Sequence, residues 1–293
     1  MEYRLENQYL TVTVTTWGAQ VKSVIRRSDG VEHMWSADPA VWGYHAPILF
    51  PYTGKLPDAT LEAKGQIIKG VSQHGFARTS EHSLVYQNKD TLVLQLLDSE
   101  ETMAVWPYRF RLLSVFTLEG DTLHHTLTVE NRDAEAMPFG IGYHPAFAIP
   151  FDDQHKATDY ELRFSSLESP LCLGTAPKGL INGNCYYLGS NLDTIPVEDG
   201  MFDSDSHCMV NLTSKTLGIY EKGTGRGVVC SIESFPYTLI WSKPGMPRFI
   251  CIEPWNSLPS PEGGSTKWEE KPAAAIIAPG ESWSTTLSTS FVR

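Results

Sequence analysis

Strict two-residue alternation of apolar and polar side chains recurs along this chain, and it restricts the fold to β structure. In the segment 9–16, Leu10, Val12 and Val14 alternate with Thr11, Thr13 and Thr15, the pattern of a strand with one buried face. In 122–131, Leu123, His125, Leu127 and Val129 share one face, while His124 and the threonines share the other. His125 is thereby assigned to the core or a pocket edge, and His124 to solvent. Glu119-Gly120-Asp121 is expected to close a hairpin between 110–118 and 122–131. Further strands are expected at 20–26, 83–87, 91–98, 159–166, 209–212, 216–220, 227–232, 238–242, 249–255, 274–278 and 283–291, with a short one at 67–72. The stretch 169–192 reads as loop, with scattered Gly, Pro and Asn. No helix longer than a couple of turns, no fixed-period repeat and no low-complexity segment is evident. Many short strands with Gly and Pro turns predict an all-β sandwich or barrel. All-β folds reach 293 residues as one unit, and no linker composition interrupts the chain, so 1–293 is read as a single domain.

The balance of 23 Lys+Arg against 34 Asp+Glu gives a formal charge of −11. That charge disfavours nucleic acid and anionic membrane surfaces as partners and is compatible with a small molecule. No apolar run approaches the roughly 20 residues of a bilayer span, and Met1-Glu2-Tyr3-Arg4 leads into no signal-peptide core. The expectation is a soluble cytoplasmic protein, monomeric or homodimeric. Cys172, Cys185, Cys208, Cys230 and Cys251 are odd in number and widely spread, which fits reduced thiols better than a disulfide framework or a zinc site. Asn211-Leu212-Thr213 has the form of a glycosylation sequon, read here as chance. Eight tryptophans and twelve tyrosines exceed what core filling alone requires and hint at a pocket with flat walls.

Three residues stand out as carriers of chemistry. His144 lies within PFGIGYHPAFAIP, residues 138–150, where prolines exclude a helix interior and Pro145 biases the histidine toward extended backbone. A histidine so held is either packed core or a working group. His74 precedes Gly75, which allows a sharp backbone turn beside the ring. Glu253 ends the apolar run Phe249-Ile250-Cys251-Ile252, so burial would raise its pKa and strengthen it as a base; the competing role is a carboxylate capping a backbone amide. Two imidazoles facing a carboxylate make a general acid and base set. A metal site finds no HExxH or comparable spacing, and a serine hydrolase finds no GxSxG. Gly223-Thr224-Gly225-Arg226-Gly227 lacks the Lys-Ser/Thr ending of a phosphate loop and reads as a hairpin turn. The irregular tract 31–52, with Trp35, Trp42, Tyr44 and His45, suits either a binding wall or a loop over a sheet end.

The segments Gln73-His74-Gly75-Phe76-Ala77-Arg78, Gly142-Tyr143-His144-Pro145-Ala146-Phe147 and Cys251-Ile252-Glu253-Pro254-Trp255, in that order, closely resemble the aldose 1-epimerase (galactose mutarotase) family, nearest its LacX-like bacterial branch. The resemblance runs nearly end to end, from Thr16-Trp17-Gly18-Ala19 through Ile48-Leu49-Phe50-Pro51 and Trp106-Pro107-Tyr108-Arg109-Phe110 to Pro279-Gly280-Glu281. It implies a large antiparallel β-supersandwich whose concave face holds a sugar. It also implies interconversion of the α and β anomers of a free aldose, without metal or redox cofactor. In those terms Glu253 removes the C1 hydroxyl proton, His144 protonates the ring oxygen, and His74 polarises the ring oxygen or a neighbouring hydroxyl. The sugar-binding aspartate falls at Asp205, with Asp203 the competing choice. Lys55 stands where the family usually has arginine, keeping the charge but losing the planar fork. Arg78 is a second cation for the substrate, and Trp255, Trp42 and Phe147 are stacking candidates. Two alternatives stay open: a non-catalytic carbohydrate binder or sensor, and a phosphosugar mutarotase, for which Lys55 and Arg78 alone make a thin cationic cluster.

Overall fold

Alternation sets the strands, and their pairing sets the layers. In the computed structural model, which describes residues 1–271 and 273–293, every named strand pairing is antiparallel. A nine-stranded sheet runs in the order Leu192–Pro196, Tyr160–Glu168, Thr216–Glu221, Gly227–Ser231, Ser282–Val292, Thr122–Asn131, Phe110–Glu119, Thr91–Leu97, Ser83–Gln87. An eight-stranded sheet is ordered Cys185–Tyr187, Leu171–Leu173, His207–Met209, Tyr237–Trp241, Phe249–Trp255, Gly142–Tyr143, Ile48–Leu49, with Ala146–Ala148 also paired to Phe249–Trp255. A four-stranded sheet from Glu2–Glu6 to Val31–Glu32, the hairpin of Thr60–Ala63 with Gln66–Lys69 and the pair Met137–Phe139 with Ala275–Ile277 complete the β structure among the described residues. Among the described residues, the one α-helix is Glu100–Val105, and no helix is long and apolar enough to cross a membrane.

The inner faces of both large sheets meet in one apolar cluster, to which Leu112, Phe116, Leu127, Leu217, Ile219, Ile250 and Ile252 all contribute. Burying a Leu, Ile or Phe side chain is worth about 1.5–3 kcal/mol, so this shared core holds the layers together. The Phe249–Trp255 strand is buried on both faces, which explains its unbroken apolar run. Ile250 and Ile252 point to the shared core, while Phe249 and Cys251 pack with Trp35 and Ala146. Trp255 packs with Leu49, Cys208 and Leu239. The odd-numbered residues of this strand therefore line the outer, concave face. His124 and His125 divide as the alternation predicts, with His125 buried and His124 half-exposed.

Several local expectations change. The stretch 169–192 is not loop throughout, because Leu171–Leu173 and Cys185–Tyr187 form strands. Three residues are too few to display a period, and Cys185–Tyr187 is exposed. The strand expected at 67–72 is Gln66–Lys69, paired only with Thr60–Ala63. His74 is therefore carried by a turn beyond it, not by a strand end. Glu2–Glu6 adds an N-terminal strand whose mixed pattern gave no clear alternation.

The 138–150 stretch is extended, as its prolines require, and forms Met137–Phe139, Gly142–Tyr143 and Ala146–Ala148. Gly142 pairs with Trp255 and Ala146 with Cys251, so His144 falls across from Glu253, at the break that the N–H-less Pro145 makes in the ladder. Opposed residues on neighbouring strands project to the same face. The break is clamped from both sides. Trp255 Nε1 donates to the Tyr143 carbonyl at 3.2 Å, and the Ala146 amide donates to the His45 carbonyl at 2.9 Å. A Cβ on Gly142 would lie 2.6 Å from Trp255 Cδ1, closer than van der Waals contact allows. Gly142→Ala is therefore expected to cost about 1–3 kcal/mol, the usual range for overpacking, measured by chemical denaturation; an unchanged midpoint would show that the Trp255 ring yields freely.

Candidate active site

The concave face of the eight-stranded sheet holds a groove of about 320 Å³, at the small end of ligand sites. His74, His144, Glu253, Lys55, Arg78, Asp205 and Trp255 all line it. Residues separated by as many as 200 positions in sequence thus converge because strand pairing brings them together. Phe147, offered above as a stacking ring, does not line the groove; three positions from His144, it lies on the opposite side and faces an internal cavity. Asp203 is also outside the groove, its Oδ1 accepting from the Gly245 amide at 2.9 Å. Asp205 is the aspartate that reaches it.

His144 Nε2 and Glu253 Oε2 lie 3.3 Å apart, with the residues 7% and 2% exposed. Trp42 stacks on the His144 ring at 5.0 Å between centroids, while His74 and Trp241 each present an edge at 5.7 Å. The cage buries the pair, and burial acts on both groups. Burial, with Asp205 nearby, raises the Glu253 pKa well above the usual carboxylate range. Burial, reinforced by the Arg78 charge, pushes His144 down to about 3. Both favour their neutral forms, so the pair holds one transferable proton, resting on the carboxyl group.

His74 owes its position to a left-handed turn. Its φ is +66° and that of Gly75 is +70°, and a Cβ at Gly75 would collide with the Phe50 carbonyl at 2.1 Å. Only glycine fits there. The Gly54 amide donates to His74 Nδ1 at 2.9 Å, so that nitrogen is the acceptor and Nε2 carries the proton. Burial and the neighbouring His144, Arg78 and Lys55 keep the ring neutral. The Gln73 carboxamide nitrogen lies 3.0 Å from Nε2, and exchanging the two ends of the amide presents its oxygen, the end able to accept that proton. A sugar oxygen in the groove can take the same donor. Asp205 is also left-handed, with φ +76°, and its carboxylate accepts from the Ser206 amide at 2.8 Å. Strained non-glycine residues of this kind concentrate at working sites.

The groove also contains residues that sequence reasoning passed over. Trp241 and Lys243 line it from the end of the Tyr237–Trp241 strand, next to Phe249–Trp255. Both strands were legible, but their pairing was not. Lys55, Arg78 and Lys243 place three cations around the groove of a chain whose formal charge is −11. The Arg78 guanidinium sits 5.0 Å above the Tyr44 ring, and its buried Nε has no hydrogen-bond partner. Behind the wall at Pro259, the buried Lys271 ammonium donates to the Leu258 carbonyl at 2.7 Å and the Ser260 hydroxyl at 3.2 Å.

Among the described residues, two side-chain sets bring metal-ligating atoms within 4.8 Å of one another. In Asp152, His155 and Glu221, the Arg226 guanidinium already bridges the two carboxylates, and its charge opposes a second cation. In His144, Cys251 and Glu253, burial favours a protonated thiol and a protonated carboxyl, the forms that do not ligate. All five cysteines are free thiols.

A sequence profile described as aldose 1-epimerase matches residues 1–290. Protein LacX of Lactococcus lactis subsp. lactis is 31% identical over 287 residues, covering 95% of each chain. A galactose mutarotase related enzyme from Lactobacillus acidophilus superposes with a TM-score of 0.94 at 26% identity, covering 100% of this chain and 98% of that one. A galactose mutarotase-like protein from Lactobacillus casei superposes at 0.91, also at 26% identity, covering 99% of each. With its antiparallel supersandwich and a profile match along nearly its whole length, the chain belongs to the aldose 1-epimerase family.

Proposed function

We propose that the protein is an aldose 1-epimerase that interconverts the α and β anomers of an aldose by acid and base catalysis. The observation that carries this reading is the buried Glu253–His144 pair at 3.3 Å, one carboxyl and one imidazole sharing a single proton on the floor of a sugar-sized groove. As the sugar binds, its C1 hydroxyl and ring oxygen replace the hydration these groups lack, and the proton passes from Glu253 to His144 across the short gap. Glu253 then takes the C1 hydroxyl proton while His144 protonates the ring oxygen. The C1–O5 bond breaks with its electron pair going to the protonated ring oxygen, the pair freed from the O1–H bond forms the aldehyde C=O, rotation about C1–C2 exchanges its faces, and reclosure with reversed roles gives the other anomer. The pair returns to its starting protonation and needs no outside proton. His74 Nε2–H donates to the ring oxygen or a neighbouring hydroxyl, Asp205 accepts from sugar hydroxyls, and Trp255 floors the groove.

A second reading of the substrate, an aldose bearing a phosphate, is favoured by one observation. Lys243 joins Lys55 and Arg78 around the groove, and the buried Arg78 Nε has no partner. An anionic substituent would give those cations their counter-charge.

Glu253→Gln is expected to lower accelerated mutarotation by about 10²–10⁴-fold, the usual contribution of a general acid or base, while sugar binding persists. An unchanged polarimetric rate after background subtraction would remove Glu253 from the mechanism. The pH profile follows from the same pair. With His144 pushed down to about 3, kcat/KM should stay flat from about pH 7 to 5, where an ordinary imidazole titrates. It should fall at alkaline pH as Glu253, whose pKa is raised, loses the shared proton. A drop centred near pH 6.5 would contradict this assignment. Lys243→Ala separates the substrate readings: KM for a phosphorylated aldose should rise about tenfold with the free aldose little affected, whereas equal effects on both would favour the neutral sugar.

A further inference from the structure

Lys271 is a buried lysine that the proposed chemistry does not use. It is 8% exposed, and burial alone lowers its pKa to about 7, with no carboxylate offsetting the shift. A buried amine without a counter-charge is unfavourable, so what it holds calls for an account. Its base is fixed: the Lys271 amide donates to the Trp268 carbonyl at 3.1 Å, and Trp268 Nε1 donates to the Pro138 carbonyl. Its Nζ donates to the Leu258 carbonyl at 2.7 Å and to the Ser260 hydroxyl at 3.2 Å. Ammonium and amine alike carry the two N–H groups that these bonds require. The two acceptors flank Pro259, which lines the groove.

Pro259 and Ser260 pass that hold on to the groove. A Cβ on Gly54 would lie 2.5 Å from Pro259 Cγ, so the proline ring packs directly on the Gly54 backbone. Gly54 is joined to His74 twice, its amide donating to Nδ1 at 2.9 Å and its carbonyl accepting from the His74 amide at 2.8 Å. The Ser260 amide donates to the Lys55 carbonyl at 3.1 Å, while the Ser260 carbonyl accepts from the Ile181 amide at 3.0 Å. One residue therefore ties the Lys55 loop to the segment that brings Thr175, Pro177 and Gly179 into the groove. A Cβ on Gly179 would lie 3.3 Å from Lys55 Cε, so the lysine chain runs close along that segment. We propose that Lys271 is a positioning residue: by gripping both neighbours of Pro259, it seats this wall on Gly54 and Lys55 and so fixes His74 and Lys55 toward the bound sugar. It acts through Leu258 and Ser260 and touches neither the groove nor the reacting atoms.

The kinetic part of this inference rests on the epimerase reading; the positioning of His74 does not. Lys271→Met removes both bonds while keeping an unbranched apolar stem. Its kcat/KM for mutarotation, measured where the variant is fully folded, should fall about 10–100-fold, the usual effect of misplacing a working group from a distance. A variant that is less stable yet turns over at the wild-type rate would reduce Lys271 to a packing role. Ser260→Ala should cause a smaller loss, and adding it to Lys271→Met should cause no further one, because the bond it removes is already gone. Two losses that multiply in full would show independent action and overturn the proposal. Nitrogen-15 NMR supplies a readout without substrate: the Gly54 amide and His74 Nδ1 resonances should both move in Lys271→Met as their hydrogen bond loosens. Resonances unchanged from the wild type would also overturn the proposal. If Lys271→Met does not fold, Ser260→Ala takes the rate and NMR measurements in its place, and wild-type values in both would overturn it. If no aldose is turned over, the proposed activity fails while the NMR comparison still decides whether Lys271 positions His74.

Discussion

The approach of Glu253 to His144 is the contact on which the site depends, and it is produced by register. Gly142 pairs with Trp255 and Ala146 with Cys251, so the residue midway along one segment must face the residue midway along the other. A one-residue slip would turn every side chain of the strand to the other face. Ile250 and Ile252 guard against that slip, because they would leave the shared core and bring Cys251 and Glu253 into it. The stability of the sandwich and the geometry of the acid and base set are therefore consequences of one alignment.

The same alignment explains how an expensive arrangement is tolerated. Isolating an ionised carboxylate in an apolar enclosure carries a large cost, and the protein avoids most of it by holding Glu253 neutral. Its partner is neutral for the same reason. Net charge on the floor of the groove stays near zero whichever group holds the proton, but transfer converts two neutral groups into an ion pair, which the hydroxyls of a bound sugar must stabilise. Charge is instead placed at the groove's other residues, with Lys55 and Lys243 exposed and Arg78 half-buried.

How much of this was legible in the sequence follows from what a single chain can encode. Alternation identified Leu10 to Thr15, Thr122 to Asn131 and the Phe249–Trp255 strand because their burial is periodic or complete. Three-residue strands such as Leu171–Leu173 carry no period and were missed. His74, His144 and Glu253 were conspicuous because a polar residue beside Gly or Pro in an apolar run is out of place, and the family resemblance ordered them. Lys243 gave no such signal, being an ordinary exposed lysine until pairing of Tyr237–Trp241 with Phe249–Trp255 brings it to the groove. Phe147 could have been excluded from the sequence alone, since an odd offset from His144 in extended backbone points the other way. Asp205 and Asp203 share a parity, and both lie in irregular backbone between strands, where period two does not apply.

Arg78 connects the charge around the groove to the chemistry at its floor. Its positive charge adds to burial in depressing the His144 pKa, so in the unliganded site it opposes the protonation of His144 that donation to a ring oxygen requires. Among the described residues it forms no ion pair with a carboxylate to blunt that field, and its guanidinium lies over the face of Tyr44. A substrate that carried its own anion to Arg78 would offset the field, and the His144 pKa would rise as the sugar seats. Coulomb interaction at a few ångströms is worth about 4 kcal/mol at an effective dielectric of 20, so an anion seated on Arg78 would offset the second of the two causes, after burial, that hold the imidazole neutral. A neutral sugar must accomplish the same shift through hydrogen bonds alone. The two substrate readings therefore differ in the energy available for the first proton transfer as well as in affinity, and the preference between them should appear in kcat as much as in KM.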